Sequence, residues 1–347
     1  MKQILNEIIN KGKSAKDDYI ICIVTSVKSI TKSYDYNHHS VSTSYLSLLE
    51  LEEIVNYFRV NGFVVEIYYG VDDFFKKYYE NTSREIIVFE TSSKGISRGR
   101  DSLLPAFCDQ NEIPHLSGDA YSSTICIGKY QWTSILEKNN ILVPKSWKYT
   151  DGCWNKNLES LKYILKLNYE CASIGLSKNS IIDQNIPLTT ERAAELVQYN
   201  QPIIAQEFIS GFEVEVPILV SKKHKLVFPA VGLKINNKEF LGDVFFDYDS
   251  IYYDEYTTYD FGLAKVQWTK KINSICTEII DLLDLSGFMR IDFRIDLQGN
   301  PFVIDINNDP TINSGGSFIK SLEILGFCKD DIAPLLIGNA LNKLVSP

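Results

Sequence analysis

No Cys-x-x-Cys pair occurs among the seven cysteines, which are scattered and odd in number (Cys22, Cys108, Cys126, Cys153, Cys171, Cys276 and Cys328). That spacing excludes a disulfide framework and a thiolate zinc site, and suits reduced thiols. Four histidines, two of them adjacent (His38 and His39), supply no HExxH helix. No apolar stretch approaches the roughly 18 residues that a membrane span needs. The opening MKQILNEIINKGKSAKDDYI interleaves charge with short apolar runs, unlike a secretory leader. A cytoplasmic protein with no membrane partner is expected. Positive charge is also in deficit: the formal net charge is −9, which argues against a nucleic-acid partner, because a phosphate backbone calls for clustered Lys and Arg. Internal repeats and low-complexity tracts are absent. What is present is globular in composition, 45% hydrophobic and 23% charged. At 347 residues the chain exceeds the usual single-domain size, so two or three domains are expected.

The first third alternates apolar strands with helical patterns. YIICIV (19–24), FVVEIYY (63–69) and EIIVFE (85–90) read as strands, and STSYLSLLELEEIVNYFRVNG between the first two reads as a helix ending near a glycine. Strand–helix–strand at this spacing implies a doubly wound parallel sheet. No GxGxxG follows the first strand, which disfavours a nicotinamide oxidoreductase. LKYILKL (161–167), NSIIDQN (179–185) and PIIAQEFI (202–209) read as strands of a smaller α+β region, with a helix over 189–200 whose N-cap is expected near Thr189. FEVEVPILV and KLVFPAVGLKI read as long antiparallel strands. Residues 236–262, dense in Tyr and Asp with little periodicity, are long for a structureless connection and suggest a functional lid. An amphipathic helix over 269–287 presents Ile272, Ile275, Ile279 and Leu282 on one face.

MRIDFRIDLQGNPFVIDINN (289–308) reads as a hairpin. Strand alternation puts Met289, Ile291, Phe293 and Ile295 on one face and Arg290, Asp292, Arg294 and Asp296 on the other. On the returning arm Phe302, Ile304 and Ile306 are expected to share a face, opposite Val303, Asp305 and Asn307. A turn centred between Gln298 and Gly299 sets Asp292 across from Asp305 and Arg290 across from Asn307. Two readings stand. One is a half-exposed hairpin whose outer charges are neutralised diagonally by Arg290 or Arg294. The other is a divalent cation between the carboxylates, with Asn307 as a further ligand and substrate phosphates completing the shell.

With these residues in hand, the chain resembles the ATP-grasp carboxylate–amine ligases, most closely the D-alanine–D-alanine ligase branch. The family signature of Arg-x-Asp, a strand ending in Glu-x-Asn and a Pro-containing loop reads here as RID (290–292), DIN (305–307) and NDPTINSGGS (308–317). GKYQWTSILEKNNILVPKSW resembles the segment carrying the first ATP-contacting lysine, at Lys129. YILKLNYECASIG resembles the strand and phosphate-covering loop with the second, at Lys166, and with Ser173. IIAQEFISGFEVEV resembles the hinge that holds adenine and ribose, with Gln206, Phe208, Ile209 and Glu213 at matching positions. The choice of Glu213 over Glu215 rests on that likeness. As isolated residues, Lys129 reads equally as a solvated helix lysine, and Ser173 with Gly175 as an ordinary turn.

The resemblance implies an α/β (α+β) ATP-grasp fold: an N-terminal parallel-sheet domain (1–118), a central subdomain (119–210) and a C-terminal subdomain with metal site and lid (211–347). It implies ATP with one or two Mg²⁺ ions (Mn²⁺ as substitute), held through Asp292, Asp305 and Asn307. Arg290 would act on the transferring phosphoryl group, and Ser314, Gly315 and Ser317 would offer donors to substrate. Arg98 and Arg100 read either as surface arginines or as partners of a substrate carboxylate. The implied partners are a small carboxylate and an amine, with a homodimer formed through the N-terminal domain. Four departures stand out. Asp305 replaces the family's glutamate. Cys171 and Ala172 replace Gly and Ser in the covering loop. TSVKSITKSYDYNHHSVS and TSSKGISRGRDS (91–102) replace substrate-side loops. TTY (257–259) replaces a Lys-Tyr in the lid. The expectation is an ATP-dependent ligase other than D-alanine–D-alanine ligase; the alternative is an ATP-grasp module that binds nucleotide without turnover.

Overall fold

The β-branched runs of the first third form three parallel strands, β1 (Ile20–Thr25), β2 (Val64–Tyr69) and β3 (Ile86–Glu90), in the order β2-β1-β3. The computed structural model describes residues 1–32, 40–80, 85–91, 95–96, 98–249 and 256–343; His38 and His39 lie outside them. Ile21, Ile23, Ile87 and Phe89 face one core, where α1 (Lys2–Ser14) and α2 (Leu48–Arg59) pack. Cys22, Val24 and Val88 face another, covered by α3 (Val71–Glu80) and α4 (Leu103–Gln110). Both faces are buried, as parallel sheets require. The start of α2 is fixed by a capping box: the Glu50 amide donates to the Ser47 hydroxyl, and the Ser47 amide donates to the Glu50 carboxylate at 2.7 Å.

Two helices, α5 (Ala120–Ile127) and α6 (Lys129–Lys138), lead into an antiparallel sheet. Its strands are β4 (Ser146–Thr150), β5 (Cys153–Trp154), β6 (Lys162–Leu167), β7 (Ile181–Asp183) and β8 (Ile203–Glu207), in the order β5-β4-β8-β6-β7. Helix α7 (Ile186–Leu196) starts three residues before the expected Thr189. The Asn185 side chain accepts the Leu188 amide, and Pro187 occupies the first turn; both are initiation signals that outrank threonine here.

The third sheet is built on β9 (Gly211–Val220), which β10 (Lys225–Val227), β11 (Val231–Lys234) and β12 (Phe240–Gly242) all join antiparallel. KLVFPAVGLKI is thus two short strands, because Pro229 has no amide to offer a continuous ladder. The 236–262 segment is less irregular than its composition predicts: it contains β12 and β13 (Thr257–Asp260), the latter paired with β11. Residues 250–255 of that segment are outside the described residues. Helix α8 (Val266–Leu282) buries Ile272 and Ile279 fully and Ile275 and Leu282 partly against β9 and β14 (Gly287–Ile295). β15 (Pro301–Asn307) completes the order β13-β11-β9-β14-β15. Helices α9 (Ser317–Ile324) and α10 (Ile332–Lys343) return to the N-terminal core. No helix among the described residues is long and apolar enough to cross a membrane.

The first and last helices cross at a glycine pair. A Cβ on Gly12 would lie 1.8 Å from the Pro334 carbonyl oxygen, and one on Gly338 would lie 2.0 Å from the Ile8 carbonyl oxygen. Neither obstacle is a side chain that can rotate away. Gly12→Val and Gly338→Val should therefore each lower stability by about 1–3 kcal/mol, the usual cost of overpacking, seen as a drop in the urea midpoint at unchanged slope. An unchanged midpoint in both would show that this crossing does not hold the chain ends together.

Candidate functional site

Alternation along β14 buries Met289, Ile291, Phe293 and Ile295 completely and turns Arg290, Asp292 and Arg294 onto a cavity. Asp296 does not reach it; its carboxylate caps the turn, accepting the Asn300 amide at 2.8 Å. The register pairs Arg290 with Asn307 and Asp292 with Asp305, so the two carboxylates are directly opposed. Beyond them it shifts. Phe293 pairs with Val303 and Ile295 with Pro301, which centres the turn on Gln298 rather than between Gln298 and Gly299. The extra residue is Ile304, a β-bulge that re-aims the strand. Val303 and Ile306 therefore pack in the core, while Ile304 joins Asp305 and Asn307 on the cavity wall. The expected shared face of Phe302, Ile304 and Ile306 does not exist.

The cavity measures about 640 Å³ and is walled by all three sheets. It gathers Lys129, Lys166, Ser173, Gln206, Phe208, Ile209, Glu213, Arg290, Asp292, Asp305 and Asn307. Lys129 opens helix α6, where a cation is disfavoured by the helix dipole. Its ammonium instead lies 2.7 Å from an Asp305 carboxylate oxygen. Burial opposes ionisation of Asp305, but Lys129 outweighs it and holds the carboxyl below the ordinary range. Lys166, on β6, donates to the Gln206 side-chain oxygen at 2.9 Å. Burial draws its pKa down to about 8. The Ser173 hydroxyl donates to the Phe246 carbonyl at 2.8 Å, and Ala172 and Ser173 both adopt left-handed backbone, with φ of 49° and 54°.

Four expected residues are placed elsewhere. Arg98 is exposed and off the cavity wall. Ser314 and Gly315 are likewise exposed and off it. Ser317 is 2% exposed and off the cavity wall, beside the Glu215 carboxylate. Arg100 does line the cavity, yet it is neither a surface arginine nor an open anion site. Its guanidinium lies 3.1 Å from Glu170, donates to the Tyr169 carbonyl at 3.3 Å and touches Asp101. It clamps the 168–175 loop to the N-terminal region.

Among the cavity residues not expected as site residues, Glu215, the alternative to Glu213, and Arg294, from the charged face of the hairpin, stand nearest the opposed pair. Glu215 is the register partner of Asp292 and lies 3.1 Å from Arg290; burial lifts its pKa to about 7. Arg294 pairs with Glu213 at 2.9 Å and donates to the carbonyls of Gly211, Gly242 and Val244. Aligning the alternation of FEVEV against that of RIDFR is the signal that could have found both. Burial, with Glu90 and Asp101 nearby, also pushes the Asp309 carboxyl well above its usual range.

A family model described as the D-Ala–D-Ala ligase C-terminus matches residues 137–337, more than half of the chain. The chain belongs to this family of ATP-grasp ligases. The D-alanine–D-alanine ligase of Saccharophagus degradans is 26% identical over 217 residues, 61% of this chain and 64% of that one, so this match spans under two thirds of the relative. That of Flavobacterium psychrophilum is 27% identical over 256 residues, 72% and 73% of the two chains. Among solved structures, Bacillus anthracis D-alanine–D-alanine ligase complexed with ATP superposes with a TM-score of 0.69 at 14% identity, covering 93% of this chain and 97% of that chain. The VanG D-Ala:D-Ser ligase of Enterococcus faecalis gives 0.65 at 17% identity, covering 93% and 99%. The α/β ATP-grasp architecture expected from the sequence is the one these structures share.

Among the described residues no three or more His, Cys, Asp or Glu gather as a metal-binding group. What this ATP-grasp cavity offers a cation is the opposed Asp292–Asp305 pair with the Asn307 amide. That donor set fits Mg²⁺, which commonly takes one or two carboxylates and completes its shell with phosphate oxygens and water. The clamp at Arg100 is separately testable. Arg100→Ala leaves a buried Glu170 without its guanidinium, and should cost about 3–5 kcal/mol in urea unfolding. Adding Glu170→Gln to that variant should recover part of the loss.

Proposed function

We propose that this ATP-grasp protein is an ADP-forming ligase that activates a small carboxylate as an acyl phosphate and joins it to an amine. The observation that carries the reading is the opposed Asp292–Asp305 pair with Arg290 beside it and Lys129 and Lys166 in one cavity. In this reaction the substrate carboxylate takes the γ-phosphoryl group of ATP and ADP leaves. The amine then attacks the acyl carbon, phosphate departs, and the nitrogen gives up a proton. Such chemistry needs positioning and charge neutralisation more than a protein nucleophile. Lys129 and Lys166 hold the phosphates. Gln206, Phe208, Ile209 and Glu213 line the end of the cavity for adenine and ribose, and Ser173 steadies the covering loop. Arg290 supports charge developing on the transferred group. Asp292, Asp305 and Asn307 hold one or two Mg²⁺ ions, whose charge offsets that of the polyphosphate.

We infer further that the substrates are not two D-alanines. The covering loop carries Cys171 and Ala172, and the substrate-side wall is made from Thr43–Ser47, Glu50 and Thr91. A rival reading, nucleotide binding without turnover, is favoured by one observation. Arg290 occupies both oxygens of Asp292, at 2.7 and 2.8 Å, and Lys129 occupies Asp305.

Phosphate release from ATP, measured with paired pools of amino acids and small carboxylic acids, decides between the two. The ligase reading expects release that requires both pools; ATP left intact across all of them favours the rival. Asp305→Asn should cut turnover by about 100-fold or more, as loss of a charge-positioning group does, while nucleotide affinity in a filter assay changes little. Lys166 adds a pH test. Phosphates favour its charged form, so above pH 8 binding must take up a proton. Nucleotide affinity should then fall as pH rises, by up to about tenfold per unit. Lys166→Met should flatten that slope.

A further inference from the structure

The row of carboxylates across β9, β14 and β15 has one member more than the proposed cation site uses. Asp292 has Asp305 as its register partner on one side and Glu215 on the other. Like charges directly opposite one another destabilise a sheet, and Arg290 is the group that resolves this. It lies two residues before Asp292 on the same face. Its Nε and Nη2 donate to the two Asp292 oxygens at 2.7 and 2.8 Å, and Nη2 also lies 3.1 Å from Glu215 Oε1. The buried Ser317 hydroxyl neighbours Glu215 in turn and favours its charged form. Ser317 opens helix α9 directly after the loop whose Thr311, Ile312 and Asn313 line the cavity.

We propose that Glu215 is a positioning residue that keeps Arg290 aimed into the cavity when a cation claims Asp292, and that Ser317 fixes it there. The inference rests on the ligase reading given above. A carboxylate whose two oxygens face a guanidinium fork has few lone pairs left for a metal. Cation binding at Asp292 therefore removes two of the three carboxylate contacts that Arg290 makes with Asp292 and Glu215. Glu215 supplies the third from the neighbouring strand, on the side of Asp292 away from Asp305. Arg290 can then leave Asp292 without leaving the site. Because Ser317 directly follows the loop of Thr311, Ile312 and Asn313, the position of the arginine would be linked to that part of the cavity wall.

A double-mutant cycle on Mn²⁺ affinity, read by electron paramagnetic resonance in the presence of ADP, tests this without turnover. Removing Glu215 leaves Arg290 competing with the cation for Asp292. Glu215→Gln should then weaken Mn²⁺ binding by about fivefold or more in the wild-type background, within the range of coupling between contacting residues. In an Arg290→Gln background the same change should have almost no effect. Equal weakening in both backgrounds would make Glu215 a cation ligand and overturn the proposal; no weakening in either would overturn it as well. Ser317→Ala should reproduce the background-dependent loss in smaller measure, and Ser317→Thr, which keeps the hydroxyl, should not. That pair carries the test if Glu215→Gln does not fold. If wild-type protein turns over no ATP, the ligase reading fails while the cycle still reports on Glu215. With an active wild type, Glu215→Gln should lower kcat and leave the KM for ATP nearly unchanged.

Discussion

Two carboxylates set face to face across a strand pair repel, and much of this molecule is arranged around that repulsion. Asp292 is answered by Arg290 from its own strand, and Asp305 by Lys129 from the first turn of a helix in another part of the chain. Neither cation is placed where local preferences favour it. Arginine on a strand face that is almost closed to water, and lysine at the positive end of a helix, both cost free energy that a nearby anion returns. The anions come first, and the cations follow from them.

The same constraint explains the backbone around the site. A regular hairpin would alternate faces to its end and turn Asp305 and Ile304 to opposite sides. The bulge at Ile304 lets Val303 and Ile306 both reach the core while Ile304, Asp305 and Asn307 share the cavity. Core packing and the charged site thus place different demands on one strand of seven residues, Pro301–Asn307, and the inserted residue reconciles them. The clamp of Arg100 on Glu170 and Tyr169 does similar work at the opposite wall, holding a loop with left-handed residues against the N-terminal region.

Local periodicity was enough to find what local periodicity determines. The parallel strands, the helix of residues 48–59 and the opposition of Asp292 to Asp305 follow from residues close in sequence. The bulge left no mark, because Ile304 is as good a strand residue as any and only the two ends of the hairpin together reveal the offset. Glu215 is legible as a candidate from the alternation of its strand, but its partner is not. Its role depends on strand β9 pairing with β14 at one register, where Glu215 and Asp292 are 77 residues apart, and no local pattern fixes that register. Ser317 and Arg100 were placed on likeness and sequence position, and burial decided otherwise. The crossing of the first and last helices at Gly12 and Gly338 is also non-local.

Charge bears in turn on how the proposed site would fill. Around the opposed pair stand Glu215, Arg290, Lys129 and Lys166, with Glu213 and Arg294 paired beside them and further charged residues, among them Lys28, Glu50 and Glu207, along the wall. A polyphosphate arriving alone would add negative charge beside Asp292 and Asp305, and a divalent cation alone would add positive charge beside Arg290 and Lys129. Each also competes for groups already paired, the cation with Arg290 and Lys129, the phosphates with Asp292 and Asp305. In the proposed function, the two entering together would let the cation take the carboxylates while the phosphates take the released ammonium and guanidinium. On the ligase reading, the self-neutralised arrangement would suit a metal–polyphosphate complex better than either component alone, because only the two together offer each paired group a new partner.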